Sequence, residues 1–145
     1  FEGAGVYHGM RATLGAIEEV WINAQTCEPT ISTIGQEHGE KPRGLCGSGL
    51  IDAVAQLRLS GFLLPSGKFI KPEEAAQRFS PALAKRLITG ENGMRSFVLA
   101  WPEETDGKRP IVLTQRDIRE LQFAKGAIAG GIEVVMRELG VATED

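Results

Sequence analysis

The feature that most constrains the fold of this sequence is a long amphipathic segment near its C-terminus, between Thr114 and Gly140. Thr114, followed by Asp117 three residues later, forms a variant of the capping box that starts helices, and Gly140 is a typical residue for ending one. The apolar residues between these ends recur every three or four positions, at Ile118, Leu121, Ala124, Ile128, Ile132, Val135 and Leu139. This spacing predicts one long helix with a single apolar stripe.

Upstream of that helix, shorter patterns predict strands and helices in alternation. The glycine-rich residues 3–15 and the polar residues 35–44 indicate loops. Strands are predicted at 17–22 and 30–34, joined by a turn at 23–28. Helices are predicted from 47 to 61 and, as two short helices with Pro72 and Pro81 in their first turns, at 71–79 and 81–88. A turn at 91–93 and a hairpin of 96–100 with 110–113 around Asp106-Gly107 follow. The fold class is therefore α/β or α+β, with short hairpins and a long C-terminal helix.

Composition excludes several classes of function. A length of 145 residues suits a single domain spanning 1–145, and a net charge of -3 gives no basic footprint for nucleic acid. No apolar run approaches the roughly 20 residues that span a bilayer. Two cysteines indicate a reducing, cytoplasmic compartment and cannot supply the four ligands of a two-iron or four-iron cluster. His8 and His38 lack ligand spacing, so we predict no metal site, and no residue pattern indicates a catalytic group.

Four segments, taken in order, resemble the C-terminal module of the reductive activators of corrinoid and corrinoid/iron-sulfur proteins. They are Phe1-Glu2-Gly3-Ala4, Gly9-Met10-Arg11-Ala12 with Gly15-Ala16-Ile17, the run Arg43-Gly44-Leu45-Cys46-Gly47-Ser48-Gly49-Leu50-Ile51-Asp52-Ala53-Val54, and Leu113-Thr114-Gln115-Arg116-Asp117-Ile118-Arg119-Glu120-Leu121-Gln122 continuing to Ala124-Lys125. Together they span nearly the whole chain. One such segment would be weak support, but four in register are specific.

The resemblance implies a partial ribonuclease H-like subdomain of the ATPase superfamily that includes acetate kinase, sugar kinases, heat-shock proteins and actin. It implies a longer protein that uses ATP and Mg²⁺ and carries a two-iron ferredoxin cluster in an N-terminal domain. Such proteins couple ATP hydrolysis to reduction of a corrinoid protein, within a methyltransferase system, from Co(II) to Co(I). The family's phosphate-binding Asp-Gly-Thr turn would precede this chain and its adenosine-binding glycine turn would follow. We therefore expect both ends to be fragment boundaries, with no cofactor bound and no activity in isolation; a homodimer stays open.

On the long helix, the resemblance singles out a candidate nucleotide-binding face. Heat-shock ATPases bracket adenosine with an acidic residue and a lysine three positions later, and Gln122 and Lys125 have this spacing, with Ala129 beside them. In the alternative, Lys125 extends its stem over the core and ends in water. Gly126, Gly130 and Gly131 interrupt the helix, which favours close packing of another element over close approach of a ligand.

Further candidates lie at a helix start and in two loops. Gly47-Ser48-Gly49 presents backbone N–H groups that suit an anion, although an ordinary helix start gives the same pattern. In related dehydratase activators a cysteine at a position comparable to Cys46 binds a cluster, but a small buried residue is the simpler interpretation. Arg11 and Arg43 are candidates for contact with a phosphate or an acidic partner, or else are solvated loop charges.

Two other functions compete with that of an activator. One is a non-catalytic docking module that has lost its ATPase function. The other is a sugar or acyl kinase of the same superfamily, which the four segments disfavour.

Overall fold

A computed structural model describes residues 5–22, 28–107 and 109–141 of the chain. Residues 1–4, Cys27 and most of the turn predicted at 23–28 lie outside this range. The elements are β1 (Ala16–Trp21), β2 (Thr30–Thr33), β3 (Gly44–Leu45), α1 (Gly47–Ser60), α2 (Pro72–Arg78), α3 (Pro81–Ala84), β4 (Leu87–Thr89), β5 (Arg95–Ala100), β6 (Ile111–Thr114) and α4 (Gln115–Leu139), with 3-10 turns at Gln36–His38 and Pro102–Glu104.

The first sheet has the order β2-β1-β3, with β2 antiparallel and β3 parallel to β1. Its two longer strands confirm the predicted pair, whereas β3 was not predicted and begins at Gly44, the last residue of the loop predicted at 35–44. Helix α1 presses its first turn onto β1, where a Cβ added to Gly49 would lie 2.1 Å from the carbonyl oxygen of Ile17. Since no side chain fits that gap, Gly49 is required by the packing of helix against strand.

The second sheet is an antiparallel meander in the order β4-β5-β6. The predicted hairpin corresponds to β5 and β6, and Pro72 and Pro81 occupy first-turn positions as expected. The helix predicted at 81–88 is too long, because α3 ends at Ala84 and Ile88 belongs to β4, opposite Ser96. The backbone N–H of Val98 donates to the carbonyl of Arg86, at 2.8 Å, so sheet pairing replaces the helical bond there.

A continuous apolar core joins the two sheets. Phe62 stacks on Phe79 with ring centroids 4.0 Å apart and meets Phe97 edge-on at 5.0 Å, which ties the segment after α1 to α2 and β5. Other members of this core include Ile17, Leu45, Leu50, Leu57, Leu63, Phe69, Leu83, Leu99, Leu113 and Ile118. Through Ile118, the core fixes the first turns of α4 and so sets the direction of the whole helix.

Helix α4 begins and ends where the sequence predicts. The Thr114 hydroxyl accepts from the backbone N–H of Asp117 at 3.1 Å, and the Asp117 carboxylate accepts from that of Thr114 at 2.8 Å, closing the capping box. Gly140 ends the helix with a φ of 65°, the left-handed conformation that glycine adopts freely. Over the part of the chain that the structure describes, however, the apolar stripe meets the core only at Ile118 and, in part, at Leu121.

Candidate functional site

The candidate residues on α4 lie where the helix leaves the core. Residues 115–121 pack against the second sheet and the loop before α2, whereas the side chains that follow are mostly exposed. Ile132 is 54% exposed and Leu139 71%. The site predicted from sequence therefore occupies the boundary between a docked and an open stretch of the same helix.

Gln122, at this boundary, is held by a neighbouring loop. Its side-chain amide donates to the carbonyl oxygen of Ser66 at 3.3 Å. Seven residues earlier, Gln115 makes two hydrogen bonds to the same loop. It accepts from the N–H of Phe69 at 2.9 Å and donates to the carbonyl of Gly67 at 2.7 Å. Gly67 has a φ of +77°, and its added Cβ would lie 2.4 Å from Gln122. In this structure Gln122 therefore fastens a tight turn to α4.

Lys125 and Ala129 follow Gln122 on α4, beyond its hydrogen bond to Ser66. Lys125 is exposed and makes no hydrogen bond or ion pair with any part of the chain that the structure describes. At Gly126 and Gly130 an added Cβ would have no described atom within 4 Å, and the same holds for Gly131. Within the described ranges, nothing packs on these glycines, so their interpretation as a packing surface stays a prediction.

The Gly47-Ser48-Gly49 turn directly follows Cys46, whose side chain contacts it. The buried Cys46 thiol donates to the carbonyl of Ile17 at 3.2 Å and lies 3.2 Å from the Ser48 hydroxyl. Ser48 itself is exposed, whereas Gly49 is buried against β1. The glycine requirement here has a packing cause, and nucleotide binding by this turn stays a prediction.

Arg43 and Arg11 lie in the segments before α1, and Arg43 lines a cleft of its own. The Arg43 guanidinium pairs with Glu40 at 3.0 Å and with Asp106 at 3.5 Å, and it lines a cleft of about 510 Å³ together with His8 and Arg109. Arg11 is exposed in the glycine-rich segment, where its carbonyl accepts from the N–H of Thr13 at 2.8 Å. Arg43 thus already has two carboxylate partners, with which any phosphate would compete.

His8, at the edge of that cleft, is half-buried. Its burial lowers the pKa of the imidazole from the usual 6.5, because the charged form loses hydration, while the nearby Asp117 carboxylate acts in the opposite direction. Asp117 is itself buried and accepts from the backbone N–H of Tyr7 at 2.8 Å. The glycine-rich segment is therefore fastened to the start of α4.

Sequence reasoning missed a concentration of positive charge at the start of α4. Lys68, Arg95, Arg116 and Arg119 line a cleft of about 600 Å³, here termed the basic cleft, together with the single carboxylate of Glu120. Arg116 and Arg119 are three residues apart on a helix, which is a signal that could have been found. Lys68 and Arg95 come from distant parts of the chain, and no local pattern brings them to α4.

Sequence reasoning also missed a buried arginine. The Arg86 side chain is 1% exposed and donates to the carbonyls of Val98 and Leu99, each at 3.2 Å. Its second terminal nitrogen lies 3.6 Å from Glu28 and 3.9 Å from Glu104. These contacts serve the two terminal nitrogens, whereas the buried Nε has no hydrogen-bond partner among the described residues. We assign Arg86 to the support of the second sheet.

The described residues limit the other classes of site. Within 5–22, 28–107 and 109–141, no three His, Cys, Asp or Glu side chains are grouped so that they could hold a metal ion. No helix over the same ranges combines the length and the hydropathy that a bilayer crossing requires.

Comparison with known proteins identifies the family. A family model described as the C-terminal domain of RACo, the ASKHA domain, matches residues 1–145. A corrinoid activation enzyme of Eubacterium limosum, RamQ, is 35% identical over 144 residues, which are 99% of this chain and 23% of that protein. A solved structure of a reductive activator for corrinoid, iron-sulfur protein superposes with a TM-score of 0.82 at 38% identity, over 98% of this chain and 20% of that one.

These matches confirm the expected fold class, a mixed α/β part of the actin and heat-shock type of ATPase domain. The chain spans about a fifth to a quarter of the length of these relatives, at 20% and 23%. The chain belongs to the RACo C-terminal ASKHA-domain family.

Proposed function

We propose that this chain forms part of the ATPase module of a reductive activator, which uses ATP to drive an inactive Co(II) corrinoid protein to Co(I). The observation that carries the proposal is the family match over residues 1–145, together with two relatives named for corrinoid activation and for reductive activation of a corrinoid, iron-sulfur protein. Because the chain covers about a fifth of such proteins, the activity is a property of the longer protein.

Within that module, we assign to α4 one wall of the adenosine pocket. At about 100° per residue, positions 122, 125, 126 and 129 fall within an arc of about 100°, so Gln122, Lys125, Gly126 and Ala129 share one side of the helix. Bare backbone at Gly126, with no described atom within 4 Å of an added Cβ, leaves room for a flat purine ring. Lys125 supplies a cation without a competing partner among the described residues.

In this arrangement Gln122 has a divided role. Its amide nitrogen already donates to Ser66, which orients the side chain and leaves its carbonyl oxygen to accept from a ribose hydroxyl. A neutral amide makes a weaker contact than a carboxylate would at this position. The loop that holds Gln122 thereby orients one side of the pocket before nucleotide binds.

The residues of this chain do not fit an iron-sulfur cluster. A two-iron ferredoxin cluster needs four thiolates, and the sequence has two cysteines, of which Cys46 is buried and hydrogen-bonded to Ile17. On this proposal the cluster that supplies single electrons belongs to another part of the longer protein. The corrinoid protein is the partner, in the cytoplasm and within a methyltransferase system, and Arg11 and Arg43 contact its surface or a phosphate.

The test of this function is ATP-dependent reduction by a longer chain that includes this sequence. The protein is mixed with its Co(II) corrinoid protein and a reductant, and formation of Co(I) is followed by absorbance with and without ATP. We expect Co(I) only with ATP, and no ATP turnover by residues 1–145 alone. Reduction at the same rate without ATP would contradict the proposal. Binding of the corrinoid protein without ATP hydrolysis would favour the docking module instead.

The adenosine wall has a separate test. In the longer chain, Lys125→Ala should weaken ATP and ADP binding about 10-fold, which corresponds to about 1.4 kcal/mol, because one charged contact is lost. The matched control is Arg58→Ala, which removes an exposed cation from α1. Calorimetry on both variants measures the affinities, and equal affinities in Lys125→Ala and the unaltered protein would remove α4 from the pocket.

A further inference from the structure

The basic cleft brings four cationic side chains together around one carboxylate. It lies between the turn at 66–69, the turn that leads into β5, and the first two turns of α4. Four cations face one carboxylate there, although the whole chain carries a net charge of -3. The cleft is therefore locally positive, although the chain as a whole is negative.

The walls of the basic cleft are fixed by hydrogen bonds that do not involve a ligand. Gln115 and Gln122 hold the carbonyls of Gly67 and Ser66 against α4. One guanidinium N–H of Arg95 donates to the carbonyl of Phe69 at 2.7 Å, which ties β5 to the same turn. Since the backbone on either side of Lys68 is anchored, the cleft keeps its shape before any partner arrives, and binding costs less ordering.

The positive charge in the cleft is poorly compensated. Arg116 lies 3.9 Å from Glu120, a long contact between side chains that are 71% and 40% exposed. Lys68 and Arg119 form no ion pair within the described ranges. Arg116 and Arg119 also occupy the N-terminal turns of α4, where the helix dipole favours negative charge. A partner that carries carboxylates would reduce both the repulsion among these cations and their unfavourable interaction with the helix dipole.

We propose that the basic cleft is a docking surface for the carboxylate-rich surface of a protein partner. Three of the four cations, Lys68, Arg116 and Arg119, lie on exposed side chains, and no fully buried cation lines the cleft among the described residues. Exposed charges of this kind steer association and orientation between proteins, whereas a small phosphate needs enclosing donors. Arginine forks bind the carboxylates of Asp and Glu in a bidentate geometry.

The test uses the longer chain and two probes, poly-L-glutamate and inorganic phosphate. The variant is Arg119→Glu, and its matched control is Arg58→Glu, which makes the same charge change on an exposed helix position outside the cleft. We expect poly-L-glutamate to bind about 10-fold more weakly to Arg119→Glu and within about twofold of normal to Arg58→Glu. Added salt should weaken binding less in Arg119→Glu, because fewer charges are screened.

Arg119→Gln gives a second, milder variant with an intermediate expected loss, and circular dichroism confirms that each variant is folded. Equal binding of poly-L-glutamate to Arg119→Glu and Arg58→Glu would overturn the proposal. So would phosphate that binds the cleft more tightly than the polymer and is lost in Arg119→Glu, since that identifies a small-anion site. Neither outcome touches ATP-dependent corrinoid reduction, so this inference can fail while the proposed function stands.

Discussion

The two parts of α4 share one apolar periodicity but have opposite surroundings. In the docked part, residues 115–121, Ile118 is 1% exposed and reaches the common core. In the open part, residues 123–139, Ile132 on the same stripe is 54% exposed. Helical periodicity therefore indicates which side of a helix is apolar, whereas residues outside the helix determine which element covers that side.

The open part is apolar on more than one side. Phe123 is 79% exposed and Val134 49%, and both lie about a third of a turn or more from Ile128 and Ile132. Helices that are apolar around much of their circumference are typical of protein interiors. We propose that, in a longer protein of the relatives' size, other parts of the ATPase module cover this segment.

The largest expected effect separates the two parts by their contribution to stability. Ile118→Ala should lower the free energy of unfolding of residues 1–145 by about 2–5 kcal/mol, because it opens a cavity in the core. Ile132→Ala, the matched change in the open part, should lower it by no more than about 0.5 kcal/mol. Urea unfolding of both variants measures the difference, and similar losses would show that the open part is packed within this chain.

A smaller loss is expected when the capping carboxylate is removed. Asp117→Ala should cost about 1–3 kcal/mol, because the backbone N–H groups of Tyr7 and Thr114 lose their acceptor in a buried setting. The matched change Glu133→Ala, at an exposed position of the open part, should stay within about 0.5 kcal/mol. Thermal unfolding compares the two, and an unchanged midpoint for Asp117→Ala would mean that the cap contributes nothing.

The smallest expected effect is a dependence on pH that arises at His8, which lies near Asp117 of the docked part. Burial lowers the pKa of His8 below 6.5, so the unfolded chain takes up this proton at a higher pH than the folded chain does. The unfolded state binds more protons in that interval, and stability therefore falls as pH drops through about 6.5 and levels off below the folded-state pKa. His8→Gln should abolish this slope, measured by urea unfolding at several pH values, whereas His38→Gln should keep it.

Local features of the fold were predictable from sequence because their causes are local. The capping pair Thr114 and Asp117, and the left-handed Gly140, need only neighbouring residues. Ile88 was wrongly predicted to be helical because its strand partner, Ser96, lies on the other side of a turn. The spacing of apolar residues carries no information about such a partner. Tertiary pairing decides such short apolar segments.

The candidate site was less predictable, since its contacts join distant segments. The hydrogen bond from Gln122 to Ser66 joins residues 56 positions apart, and the spacing of Gln122 and Lys125 does not predict it. The basic cleft depends on Lys68 and Arg119 meeting across the same fold. Residue type and helical spacing could predict Arg116 with Arg119, but the partners from the loop and from β5 follow only from the packed structure.

Hydrogen exchange along α4 tests most directly the claim that its open part is completed by a longer protein and faces nucleotide. Exchange is measured for the amides of 123–139 in residues 1–145 alone and in the longer chain, with and without ATP. We predict that the amides exchange about 100-fold more slowly in the longer chain, and that ATP slows 122–129 further, because coverage suppresses local opening. Equal exchange in both proteins, with no response to ATP, would mean that neither the longer protein nor nucleotide covers the open part of α4.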